Sequence, residues 1–334
     1  MAHVSDPRTA PPIRWGILGA GGIAGAFADA VNKHTRAQLT AVGSRNKDRC
    51  ERFATAHGIP TTHVGYRDLV EDDRVDAVYV ATPHSEHRQH ALLAIAAGKH
   101  VLVEKAFTRN TGEAEQVFAA ARAAGVFVME AMWTRFLPHV AKIHQVIDAG
   151  EIGEIVNISA DHGQAFPFNP ASRLYDPALA GGALLDLGVY PVSFAHDFLG
   201  APDAVHAVGA LTETGVDGQI SIVLSYGERV QATLSTTLWS KTPTTASISG
   251  TEGSITVHGE FYRPTSFTAT RNDGARWKFD QRAADGLQYE AAEVARRVAA
   301  GEIESPRMPW QGTLDVMRTL DTVRAQVGVV YPGE

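Results

Sequence analysis

The 334-residue chain has a single cysteine, Cys50, so no disulfide can form within it, which suits a reducing compartment. It has no excess of positive charge. Thirty Lys and Arg against 37 Asp and Glu leave a net charge of −7, which argues against a broad cationic footprint for nucleic acid or for an anionic membrane. Any phosphate binding must therefore be local. Long apolar runs are also missing: Arg122 and Glu130 interrupt the best stretch before it reaches the roughly 18 residues a membrane helix needs. Residues 1–12 lack an apolar h-region and read as a short flexible tail rather than a signal peptide. A cytoplasmic protein is expected.

What is present is ordinary globular composition, 44% hydrophobic and 20% charged, in a chain long enough for two domains. Over residues 13–130, compact β-branched runs (13–18, 37–43, 77–81, 101–104, 126–130) alternate with Ala-rich helical stretches near 22–32, 46–57, 85–97 and 111–124. This is the βαβ pattern of an α/β, doubly wound parallel sheet covered on both faces. Beyond residue 138, after one helix at 140–149, polar and apolar residues alternate over long stretches. Hairpins are expected at 220–238 and 246–257, with closing helices near 286–300 and 310–326. The expected division is an α/β domain at 1–131 and an α+β domain with a large, mostly antiparallel open sheet at 132–334. One face of that sheet needs cover, which self-association would provide.

The segment Gly19-Ala20-Gly21-Gly22-Ile23-Ala24 directly follows the first strand and opens a helix. In a G-x-G-x-x-A turn the glycines permit close backbone approach, while free amides and the helix dipole receive a pyrophosphate. The plain alternative is a glycine turn. For NAD the second strand should end in a carboxylate that pairs with the ribose hydroxyls, yet no acid occurs between residues 30 and 47. Ser44 and Arg45 stand at that end with Lys47 nearby, offering a hydroxyl and a guanidinium to a phosphate. NADP is thus favoured over NAD. Arg45 as a solvated loop charge and Lys47 as an exposed helix residue are the alternatives.

Ligands of an open parallel sheet bind outside the carboxyl ends of its strands. Two segments stand there: Thr82-Pro83-His84-Ser85-Glu86-His87 and Glu104-Lys105-Ala106-Phe107. Lys105 is either a proton-handling residue in a partly buried site or a strand-end lysine reaching solvent. His84 and His87 have the spacing of a metal pair, but no third cluster of ligands accompanies them, so no metal is expected.

These motifs, with Glu130-Ala131-Met132-Trp133-Thr134-Arg135-Phe136 and Gly181-Gly182-Ala183-Leu184-Leu185-Asp186-Leu187-Gly188-Val189-Tyr190, resemble the Gfo/Idh/MocA oxidoreductases. Within that family they are similar to the branch of dimeric dihydrodiol dehydrogenases and NADP-dependent D-xylose dehydrogenases. The resemblance runs from the first strand to Glu304-Ser305-Pro306. It implies a Rossmann domain and a second α+β domain whose open sheet forms a homodimer or higher oligomer. It also implies NADP held with the help of Thr82, His84, His87 and Glu104, and Lys105 beside the nicotinamide and the substrate hydroxyl.

Ala106 stands where the family's Glu-Lys-Pro has proline, a change in loop stiffness more than in chemistry. Tyr190 stands four residues after Asp186, where the wider family has Asp-x-x-x-His, and is the implied proton carrier. Removing a hydride from a carbinol requires its hydroxyl proton to leave at about the same time. A nearby Lys105 cation would favour the Tyr190 phenolate, with Asp186 orienting the pair. The branch places Trp133, Arg135, Phe136, Arg173 and Asp176 near nicotinamide or substrate, where aromatic walls suit a ring and arginine holds hydroxyls. Core packing for Trp133 and Phe136, and an Arg173–Asp176 ion pair, are the alternatives.

The substrate implied is an aldose such as D-xylose, oxidised at the anomeric carbon, or a trans-dihydrodiol. Reduction of an anhydrofructose-like keto sugar, and a non-catalytic NADP-binding regulator, are the competing readings.

Overall fold

The structure, a computed structural model, describes residues 4–334. The chain divides into two compact units, Ser5–Trp133 with Asp285–Leu314, and Thr134–Ala284 with Asp315–Glu334. Each unit is therefore discontinuous in sequence, a feature that a single division near residue 131 does not convey.

The first unit holds six parallel strands: β1 (Arg14–Leu18), β2 (Gln38–Ser44), β3 (Thr61–Val64), β4 (Ala77–Val80), β5 (His100–Glu104) and β6 (Val128–Ala131). Their order is β3-β2-β1-β4-β5-β6. The connecting helices are α1 (Gly22–His34), α2 (Lys47–His57), α3 (Arg67–Val70), α4 (His87–Ala96) and α5 (Thr111–Ala124). All four β4 residues are buried, as a strand covered on both faces requires. Helix starts follow capping chemistry: the Asn46 side chain accepts from Arg49 N at 2.9 Å, and Asn110 accepts from Glu113 N at 2.9 Å. Strand β3 and the single turn of α3 escape sequence reading because β3 is a short edge strand with alternating exposure, too brief to show a period.

Residues 285–314 complete this unit. The N–H of Val128 donates to Ile303 O at 3.0 Å, and Trp310 Nε1 donates to Val128 O at 2.8 Å, so the segment covers the sheet edge at β6. The helix Gln288–Ala299 also holds the start of the chain: Arg296 Nη2 donates to Asp6 O at 2.8 Å, beside a 3-10 turn at Pro7–Thr9. Within the expected flexible tail, Pro7 and Ala10 are buried, so that part is docked rather than loose. Residues 1–3 of the tail lie outside the described residues.

The second unit is built on an eight-stranded sheet of β7 (Ile155–Gly163), β8 (Ala204–Leu211), β9 (Asp217–Tyr226), β10 (Val230–Thr237), β11 (Ala246–Gly250), β12 (Gly253–Val257), β13 (Phe267–Arg271) and β14 (Arg276–Phe279). The order is β14-β13-β12-β11-β7-β10-β9-β8. Every pair is antiparallel except β7 with β10. Both expected hairpins are present. Helix α6 (Pro138–Asp148) precedes the sheet, and α7 (Val189–Leu199) packs against β7 and β10.

Helix α7 was hidden in the sequence by the surrounding strand texture. It lies within Pro177–Leu199, a stretch apolar enough by composition to cross a bilayer, and 89% of that window is buried inside the protein. Among the described residues, the helix that is long and apolar enough by composition is therefore this core one, and not the stretch interrupted by Arg122 and Glu130. On the sheet's other face, exposed positions such as Ser159, Gln219, Ser221, Gln231, Thr233 and Thr256 carry uncharged polar groups.

Candidate active site

In the parallel unit the candidate residues gather at the carboxyl ends of the strands. The strand order reverses between β1 and β4, the place where open α/β sheets bind nucleotides. Gly19 leaves β1 with φ +104°, and an added Cβ would lie 2.6 Å from Ala81 O. Only glycine combines that backbone with that approach. Its N–H donates to Gly43 O at 2.9 Å, tying the loop to the end of β2. Gly21 precedes α1 with no side-chain cap, and added Cβ atoms at Gly21 and Gly22 would meet nothing within 4 Å. Uncapped amides at the start of a 13-residue helix suit a pyrophosphate, so the loop fits the expected dinucleotide. Ile23 is exposed and Ala24 is buried in the first turn.

Ser44 closes β2 and is buried, with its Oγ accepting from Asn46 N at 3.2 Å. Arg45 follows it and is exposed. Its guanidinium is hydrogen-bonded to the Tyr66 side chain beside the strand-end hydroxyl, and its further donors can still reach a phosphate. Lys47 is instead directed along α2 to Glu51, at 3.8 Å, a surface i,i+4 pair.

The segment after β4 is bound to the segment after β5. His84 Nε2 lies 3.2 Å from Lys105 O. His87 Nδ1 lies 3.0 Å from Ala106 O, and its Nε2 lies 2.8 Å from Thr82 O. Burial pushes the His87 imidazole down to about 4, so the ring is neutral at pH 7 and donates to one side at a time. Both histidines are turned to backbone carbonyls, the opposite of a metal pair. The Lys105–Ala106 peptide is cis. Thr82 Oγ1 is 2.9 Å from His90 Nδ1, a contact no motif had indicated.

Glu104 is buried. Its Oε1 accepts from Tyr79 OH and its Oε2 accepts from Lys105 N at 3.2 Å, so it shapes the turn that presents the half-buried Lys105. Trp133, at the end of this unit, is also half-buried.

In the second unit, Leu184–Gly188 forms a π-helical turn leading into α7, a local irregularity that recurs at functional sites. It places Asp186 and Tyr190 on consecutive turns, both buried. Arg173 Nη1 donates to Asp186 Oδ1 at 2.8 Å. Asp176 is turned elsewhere and accepts from Ala178 N at 2.9 Å, so the ion pair of Arg173 is with Asp186 rather than Asp176. Arg135 is buried against α7, with Nε donating to Ser193 Oγ at 3.1 Å, and Phe136 is fully buried.

Around Tyr190 stand three residues that sequence reasoning missed. His162, at the end of β7, lies 5.4 Å from Tyr190 between ring centroids. Tyr262 lies 4.6 Å from Tyr190 and 4.4 Å from His162. Gln164 Nε2 is 3.1 Å from His162 Nε2. Burial raises the Tyr262 hydroxyl above its usual value, with Glu260 adding to the shift. His162 and Tyr262 belong to no spacing pattern; only the fold brings β7 and the β12–β13 connection to α7.

Comparison with known proteins agrees with this fold. Residues 13–132 match the family of oxidoreductases with an NAD-binding Rossmann fold, and residues 140–256 match the Gfo/Idh/MocA C-terminal domain. The chain is 35% identical over 333 residues to trans-1,2-dihydrobenzene-1,2-diol dehydrogenase of Mus musculus, covering 96% of this chain and 98% of that one. It is 33% identical over 365 residues to D-xylose 1-dehydrogenase (NADP(+)) of Hypocrea jecorina, covering 96% and 93%. The structure of KijD10, a 3-ketoreductase from Actinomadura kijaniata in complex with NADP and TDP-benzene, superposes with a TM-score of 0.86 at 31% identity, covering 95% and 98%. By these matches along nearly its whole length, the chain belongs to the Gfo/Idh/MocA family of oxidoreductases.

Proposed function

We propose that this oxidoreductase uses NADP in preference to NAD, and that it oxidises a hydroxyl-bearing carbon of an aldose such as D-xylose, at the anomeric position, or of a trans-dihydrodiol. The observation that carries the cofactor reading is the end of β2. Ser44 and Arg45 stand there beside the glycine loop, with no carboxylate to repel a 2′-phosphate. NADP, when bound, supplies the hydride acceptor.

The chain's own residues then have three tasks. The Gly19–Ala24 turn receives the pyrophosphate on its amides, and Arg45 takes the ribose phosphate. Lys105, held by the Glu104 turn and by the carbonyl contacts of His84 and His87, orients the substrate hydroxyl. Tyr190 accepts the proton from that hydroxyl as the carbon is oxidised, and the Asp186–Arg173 pair fixes the turn from which it projects. Substrate contacts fall to Trp133 and Arg173; Arg135 and Phe136 act by packing.

The same residues serve the reverse direction by microscopic reversibility, and the likeness to a 3-ketoreductase favours keto-sugar reduction as the second reading. Self-association through the polar sheet face and a cytoplasmic location complete the proposal.

The test is a panel of D-xylose, D-glucose and trans-dihydrobenzenediol with NADP and with NAD, followed at the NADPH absorbance band. The expected result is NADP-dependent turnover with at least one of them. No signal with any substrate, together with no oxidation of NADPH by a keto sugar, would overturn the reading.

A further inference from the structure

The π-turn at Leu184–Gly188 leaves its backbone outside the regular α-helical ladder, and something lateral must hold it in register for Tyr190 to point one way. One neighbour that does so, beside the Asp186–Arg173 pair and the Asp217 contact to Leu184 N, is His162. This side chain is 1% exposed, and its Nδ1 lies 3.2 Å from Leu187 O, inside the turn. A nitrogen facing a carbonyl oxygen must carry the proton, so in a neutral ring Nε2 is the acceptor. Gln164 Nε2 stands 3.1 Å from that atom and donates to it. One tautomer satisfies both contacts.

The same ring stacks on Tyr262 with an interplanar angle of 26°, and Tyr262 in turn leans on Tyr190 at 37°. The backbone of His162 is anchored as well: Thr236 Oγ1 donates to His162 O at 3.0 Å. Hydrogen bond and ring wall thus act on one object, the turn and the aromatic side chain that follows it.

We propose that His162, in the tautomer selected by Gln164, is a positioning residue that holds the Leu184–Gly188 turn and the Tyr190 ring in the geometry proton transfer needs. It acts through Tyr190 and rests on the reading of Tyr190 as the proton carrier.

The test compares wild type, His162→Phe, His162→Asn, Tyr190→Phe and the His162→Phe/Tyr190→Phe double variant, with NADP and either D-xylose or trans-dihydrobenzenediol as substrates. Phenylalanine keeps the ring wall and loses the donor; asparagine restores an N–H donor. His162→Phe should lower kcat at least tenfold while the KM for NADP stays within twofold, and His162→Asn should recover part of the loss. In the Tyr190→Phe background the His162→Phe change should cost nothing further, because residues acting as a unit are not additive.

A readout independent of any substrate is amide hydrogen exchange across Leu184–Tyr190, expected to quicken tenfold or more in His162→Phe. Full turnover in His162→Phe beside a crippled Tyr190→Phe would overturn this proposal alone. So would unchanged exchange, or a loss that adds fully in the double variant. Full turnover in Tyr190→Phe would instead remove the reading beneath it.

Discussion

At the scale of single residues, the chemistry divides into groups that sequence spacing discloses and groups that only the fold assembles. Gly19, Ser44, Arg45 and Lys105 stand at strand ends, and strand ends are legible because apolar runs stop there. Arg45 is the clearest test of the cofactor reading, being exposed and thus removable without harm to the core. A charge-assisted hydrogen bond of about 1.5–3 kcal/mol corresponds to roughly tenfold or more in affinity. Arg45→Ala should therefore raise the KM for NADP by about that factor and leave NAD binding unchanged, as measured by cofactor titration. An equal effect on both cofactors would contradict the phosphate role. His84 and His87 teach the opposite lesson. Their spacing is compatible with a metal pair that nothing else in the sequence gives reason to expect, and each imidazole meets a carbonyl of the Lys105–Phe107 segment, which no spacing could disclose.

At the scale of elements, the segment that carries Tyr190 is fixed from its start. Asp217, the first residue of β9, accepts from Leu184 N at 2.6 Å, and Tyr331 OH donates to Gly181 O at 2.7 Å. Gly182 lies between these anchors at φ +118°, where an added Cβ would run into the Asp217 carboxylate. Gly182→Ala combines a backbone penalty of about 1–2 kcal/mol with that collision. It should lower stability by more than about 2 kcal/mol in urea unfolding, and kcat with it; a neutral substitution would show that the paired glycines do not set the turn. Here the sequence was half legible. The Gly-Gly-x-x-x-Asp pattern marked the place, but the alternating texture around it concealed α7, and nothing in the spacing announced a π-turn or the partner strand that brings Asp217. Both hairpins, by contrast, were legible because glycine-containing turns separate strands of matched alternation.

At the scale of the whole molecule, buried histidines set the response to acid. Burial pushes His87 and His139 down to about 4 and His196 down to about 3. Their folded values lie below the ordinary value of about 6.5, so the unfolded chain binds more protons as pH falls. Their contribution is complete above pH about 6.5 and is lost toward pH 4, at about 3 kcal/mol for a shift of about 2.5 units. Asp217 works in the other direction. Burial raises it to about 6, so its contribution is present at low pH and lost as pH rises through about 6, offsetting part of the histidine effect. Urea midpoints measured from pH 8 to 4.5 should stay nearly level above 6.5 and fall steeply below 6. A level profile down to pH 5 would contradict this balance.

The acidic total of −7 is compatible with an anionic cofactor because the proposed site is local: loop amides, a helix start and the Arg45 guanidinium. In the proposed reaction Lys105 lies beside the nicotinamide and serves hydride-coupled proton chemistry there, so its loss should cost rate more than cofactor affinity. The direct measurement is NADPH formation from NADP by wild type and Lys105→Ala on the substrate the panel identifies, with NADP affinity measured in parallel. The expected rate loss is about 10²–10⁴ with NADP still bound; turnover equal to wild type would rule out the role of Lys105.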